Sequence, residues 1–90
     1  MKFQVGDLVE IVNSGLYYPT HTTAARKLKA KFWHANIGAR DGEQGTIVNM
    51  WDNRENGETL FCLVRIEDKE IIISSNGIQS ISEWDAEVNV

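Results

Sequence analysis

The run Leu60-Phe61-Cys62-Leu63-Val64-Arg65-Ile66-Glu67-Asp68-Lys69-Glu70-Ile71-Ile72-Ile73-Ser74 carries most of the fold information in this 90-residue chain. Two blocks rich in branched and aromatic side chains flank the polar step Glu67-Asp68-Lys69. That pattern predicts a hairpin, with one strand over Thr59–Ile66 and the next over Glu70–Ser74. Leu60–Val64 and Ile71–Ile73 are apolar without interruption, so both faces of this hairpin need cover. Two covers are available: a long insert upstream, or a second copy of the chain. The carboxylates Glu67, Asp68 and Glu70 read as a solvated turn that protects a strand edge.

Outward from this hairpin the chain keeps alternating short strands with polar breaks. Asp52–Gly57 is a polar loop that follows a strand over Gly45–Trp51. Further upstream, Val5-Gly6-Asp7 is a turn that launches a strand over Leu8–Val12, with Val9 and Ile11 alternating against Leu8, Glu10 and Val12. Downstream, Ser75-Asn76-Gly77 breaks the chain before a short strand over Ile78–Ile81. Five short strands with brief turns predict an all-β fold, a small barrel of about five strands.

Residues 14–44 interrupt that rhythm between strands 1 and 2. Thr22-Thr23 can cap a helix over roughly Ala24–His34, where Ala, Leu, Arg and Lys favour helix. At 100° per residue, Ala24, Ala25, Leu28 and Phe32 fall on one side, and Arg26, Lys29 and Trp33 on the other. Lys27 and Lys31 flank the apolar stripe. The expected helix docks by Leu28 and Phe32 and presents its basic groups outward.

The charges are split along the chain. Residues 11–40 contain no Asp or Glu but hold Arg26, Lys27, Lys29, Lys31 and Arg40. The formal charge of −4 therefore conceals a +5 segment against a −9 remainder. Such a split points to one surface that meets an acidic partner. The length and the 42% hydrophobic content suit one globular domain. The division expected is a barrel over 1–82, including the insert, and an acidic C-terminal tail over 83–90. No apolar run approaches the ~18 residues that cross a bilayer, and the opening residues do not read as a signal peptide. Cys62 is a lone cysteine inside an apolar strand, which suits a small core residue and a reducing cytoplasm.

The pattern Val5-Gly6-Asp7-Leu8-Val9-Glu10-Ile11, then Gly42-Glu43-Gln44-Gly45-Thr46-Ile47-Val48, Leu63-Val64-Arg65-Ile66 and a closing Ile78–Ile81 strand resembles SH3-like barrels. Two branches come closest. One is the electron-transport accessory type, comprising the small barrel protein of photosystem I, the ferredoxin–thioredoxin reductase variable chain and the nitrile hydratase β-subunit barrel. The other is the KOW-type module of transcription and ribosomal proteins. The resemblance spans about residues 5–81 without the insert. It implies a non-catalytic module that docks on a larger partner. The helical, aromatic-rich insert departs from the short first loop of most members.

The insert also concentrates rings: Tyr17, Tyr18, His21, Phe32, Trp33 and His34. Aromatics that fix a pose beside cations that steer encounter make a binding face. The candidate partner-binding residues are Tyr17, Tyr18, Arg26, Lys29, Lys31, Trp33 and Arg40. A larger protein complex is the expected partner, and a small bacterial or phage regulator that blocks such a complex fits the same description. Nucleic acid bound through that face, as in KOW-like modules, is the alternative. A homodimer centred on Trp51, Phe61 or Ile72 is a third expectation. No metal site is expected, because neither Cys-x-x-Cys nor His-x-x-x-His spacing occurs. No phosphate loop or nucleophile motif is present, so no enzyme, catalytic residue or cofactor is expected.

Overall fold

Branched side chains and alternating polarity build five strands: β1 (Leu8–Ile11), β2 (Gln44–Asp52), β3 (Leu60–Ile66), β4 (Lys69–Ser74) and β5 (Ile78–Ser80). A computed structural model describes residues 3–18, 21–31, 38–57 and 59–81. The tail 83–90 and Phe32, Trp33 and His34 of the insert lie outside the described residues. The strands form one antiparallel sheet in the order β4-β3-β2-β1-β5. One short helix, α1 (Thr22–Lys27), lies in the connection between β1 and β2. Among the described residues no helix is long and apolar enough to cross a membrane.

Because side chains alternate along a strand, the sheet sorts its apolar residues into two clusters. One face gathers Val9, Ile11, Ile47, Cys62, Val64, Ile71, Ile73 and Ile78. The other gathers Phe61, Leu63 and Ile72, and α1 covers them with Ala24 and Leu28. The uninterrupted apolar blocks of β3 and β4 thus find their second cover in the insert. Phe61 and Ile72 are 1% and 0% exposed within a single chain. The centre expected for a homodimer is therefore already filled at these two positions.

A bulge in β2 fits the helix to the sheet. Ile47 pairs with Val64 and Asn49 with Leu63, which leaves Val48 without a partner on β3. An extra residue shifts the alternation by one. Val48 packs in the second cluster while Asn49 Nδ2 donates to the Leu28 carbonyl (2.9 Å). Asn49 Oδ1 in turn accepts from Met50 N (2.9 Å). A strand side chain thus satisfies a carbonyl that the end of the helix leaves open.

The helix itself corrects the expectation of a helix over Ala24–His34 capped by Thr22-Thr23. It begins one residue after His21, whose Nδ1 accepts from Ala24 N (3.1 Å) and so acts as the N-cap. It stops at Lys27, followed by Leu28 as C-cap and by Lys29 at φ 55. A left-handed residue ends a helix, so Lys29 does not extend the helical face of Arg26. Six residues are too few for a stable helix alone; burial of Ala24 (0%) and Leu28 (1%) holds this one in place.

Candidate functional site: a basic strap over an aromatic cluster

The insert is tied to β4 at two places. At the start, Tyr18 N donates to the Ile72 carbonyl (2.7 Å), and Tyr17 bridges to Ile73. At the far end, Lys31 N donates to Glu70 Oε1 (2.7 Å). Glu70 Oε2 accepts from Arg65 Nη2 (2.8 Å), across the Arg65–Glu70 register pair. Glu70 is only 2% exposed. This corrects its reading as a solvated turn residue: a buried carboxylate needs charged or hydrogen-bonded company, and Lys31 and Arg65 provide it.

Between these ties the cations face outward. Arg26, Lys27, Lys29 and Lys31 are exposed. Among the described residues no carboxylate pairs with any of their side chains. Three cations elsewhere behave differently: Arg54 meets Asp52 (2.6 Å), Arg65 meets Glu70 (2.8 Å) and Lys69 meets Glu43 (2.8 Å). Among the described residues, the cations Arg54, Arg65 and Lys69 are paired with carboxylates, and those from Arg26 to Lys31 are not.

Arg40 keeps different company. It is exposed, in the approach to β2, with Asp41 and Glu43 as neighbours. Asp41 accepts from Ser14 N (2.7 Å), and that bond holds its carboxyl below the usual range. Burial alone would raise Glu43. Hydrogen bonds from the Lys69 ammonium and Arg40 N, with the charges of both residues, outweigh it and bring the carboxyl below its ordinary value. Arg40 therefore sits in a mixed-charge turn, whereas the cations from Arg26 to Lys31 form an uninterrupted basic stretch.

The two tyrosines separate. Tyr17 packs against the first apolar cluster and Tyr18 against the second, as neighbours on an extended chain must. Tyr18 then joins His21, its neighbour in the insert, and two strand rings that sequence spacing does not group with it, Phe61 and Trp51. Its ring meets Phe61 edge-on at 4.9 Å and His21 at 5.8 Å. His21 also meets Phe61 at 5.0 Å, and Trp51 stacks on Phe61 at 5.2 Å and 17°. Edge-to-face and stacked pairs at such spacings are the favourable ones. A depression of ≈ 340 Å³ opens beside this cluster, lined by Tyr18, His21, Gly57, Thr59 and Phe61. Trp33 lies outside the described residues.

His21, Asn49, Trp51, Phe61 and Glu70 shape this region; from the sequence, His21 stands only among the rings of the insert and Trp51 and Phe61 only as a homodimer centre, and Asn49 and Glu70 have no part in a site. His21 stands directly before Thr-Thr-Ala-Ala, which is a cap position, but Ser, Thr, Asp and Asn are the residues usually read there. Among the described residues no cluster of three or more His, Cys, Asp or Glu side chains is arranged to hold a metal. Comparison of the chain with protein-family models, with curated proteins and with solved structures finds no match.

Proposed function

We propose that this chain is a non-catalytic accessory module that docks on an acidic surface of a larger protein through its insert. The observation that carries the reading is the set of four exposed cations, Arg26, Lys27, Lys29 and Lys31, left unpaired among the described residues in a chain of net charge −4. Cations without internal partners keep their full charge for an opposing carboxylate and raise the encounter rate. Tyr18 would contribute from the aromatic cluster, and Trp33 and Arg40 from the rest of the insert.

The same reading takes the scaffold as an SH3-like barrel. Its support is the connection between β4 and β5, which stand at opposite edges of the strand order yet are joined by a single 3-10 turn, Ser75–Gly77. Five strands laid flat would separate those edges by ~19 Å, whereas three residues reach only ~10 Å. The bridge from Tyr17 to Ile73 on the outer side of β4 points the same way. A curled sheet would hold both ties of the insert rigidly.

The test is the rate of association with the partner recovered from native lysate, measured against ionic strength. Replacing Lys29 by Glu should slow association and flatten its salt dependence while leaving dissociation nearly unchanged. An unaltered salt slope with an intact fold would move the docking face away from the insert. Loss of capture after nuclease treatment would identify the partner as nucleic acid.

A further inference from the structure

We infer that the docking surface takes an extended acidic peptide segment carrying one aromatic anchor, with the ring in the depression beside Phe61 and the carboxylates on one side only. The inference deepens the docking function proposed above and rests on it. The depression offers ≈ 340 Å³, and Tyr18, His21 and Phe61 are among the residues that line it. An incoming ring can add an edge-to-face contact to the half-buried Tyr18 and His21, which already pack on each other and on the buried Phe61 beneath them.

Charge fixes the direction of the segment. On one side of the depression stands α1, which His21 caps and whose last turn carries Arg26 and Lys27. Gly57 and Thr59, which also line the depression, belong to the β2–β3 connection, where Glu55 stands two positions before Gly57 and Asp52 is already paired with Arg54. Five residues of helix separate His21 from Arg26, ~7.5 Å along the axis. Two residues of extended peptide cover ~7 Å. A carboxylate two positions from the anchor therefore meets the end of the helix, and further ones run toward Lys29 and Lys31. A carboxylate on the opposite side of the anchor would meet Glu55. This one-sided pattern favours a peptide over a nucleic acid strand, which carries a phosphate at every step on both sides of each base.

The experiment uses the full chain and short synthetic peptides, read by backbone NMR shifts and by the side-chain indole NMR signal of Trp51. The probe is a phenylalanine with three glutamates on one side and three glycines on the other, made in both chain directions. Matched peptides replace the phenylalanine by alanine, replace the glutamates by lysines, or place glutamates on both sides. A ten-nucleotide thymidine strand is the remaining arm. The expected result is binding of one direction of the probe, with shifts at Gly57, Thr59 and the Arg26–Lys27 turn. The alanine peptide should bind at least about tenfold more weakly, as loss of an anchor implies. The two-sided glutamate peptide should also bind more weakly than the probe. Equal binding of the alanine peptide, shifts confined to other faces, or tighter binding of the thymidine strand would each overturn the inference. If the partner from lysate responds to Lys29→Glu but is not displaced by the probe, the docking function stands and this peptide chemistry falls. The changes that decide the peptide chemistry are made in the peptide, so none of those outcomes depends on whether a variant protein folds.

Discussion

Lys29→Gly should make the protein more stable and a poorer binder at once. Lys29 holds φ 55 immediately after the C-cap of α1, where glycine is the usual occupant. The left-handed conformation costs an L-residue about 1–2 kcal/mol. Glycine is freer in the unfolded chain, and that freedom returns about 0.4–1 kcal/mol of the gain. The net stabilisation is about 0.5–1 kcal/mol, or roughly 2–8 °C in Tm for a domain of this size. The side chain is exposed and has no ion-pair partner among the described residues, so nothing in the described fold opposes the gain. Association with the acidic partner should fall by a few-fold at low ionic strength, since one of the steering cations is gone. Urea unfolding followed by tryptophan fluorescence, beside stopped-flow association, measures both effects. A destabilised variant would refute the backbone argument. A stabilised variant with unchanged association would show that this cation takes no part in docking.

Glu70→Gln should cost about 2–4 kcal/mol, because the amide must turn a donor toward either Lys31 N or the Arg65 guanidinium in a buried position; equilibrium denaturation with unchanged stability would contradict the tie. Burial pushes the Cys62 thiol up to about 12, so a thiol reagent should label it no faster than the protein unfolds. The Arg54 side chain and backbone hydrogen bonds hold the exposed Asp52 carboxyl at about 2. Its contribution to stability is present above the ordinary value of 3.8 and is lost as pH falls toward about 2. A carboxyl NMR titration of Asp52 with a midpoint at the ordinary value would show that the Arg54 pair does not persist in solution.

The strands are legible because their signals are local. Branched blocks punctuated by Gly6, Asn53–Gly57, Glu67-Asp68 and Ser75–Gly77 place all five within two residues of their observed limits. The alternation in β1 is legible too: Val9 and Ile11 are buried, and Leu8 and Val12 are 49% and 43% exposed. The length of the helix is not. No Gly or Pro stands between Arg26 and Ile37 to announce a stop. What accompanies the stop is a left-handed lysine and an asparagine contributed by a distant strand. Glu70 misleads for a similar reason. Beside a turn it looks solvated, and its cover arrives from Lys31, thirty-nine positions away.

The candidate site divides along the same line. Charge asymmetry needs only a tally of residues, so Arg26, Lys29 and Lys31 can be chosen from the sequence. The aromatic depression needs Tyr18, Gly57 and Phe61 to meet, which follows from sheet register and not from spacing. Pairing Tyr17 with Tyr18 as one platform overlooks the alternation that sends them to opposite faces.

A six-residue helix that persists only by leaning on Phe61, Leu63 and Ile72 also dictates an order of assembly. The β3–β4 hairpin closes over a two-residue turn, so its contacts form early and at small loop-closure cost. The short helix α1 is not stable until that surface exists, and it docks late. In reverse, the first excursion from the native state is its detachment with the hairpin intact, a partial opening that precedes global unfolding. Hydrogen exchange should then show the amides of Ala24, Ala25 and Leu28 losing protection together, well before those of Cys62 and Val64. In that opened form the hairpin presents a bare apolar face, and a partner bound across the insert would act as a clamp against aggregation.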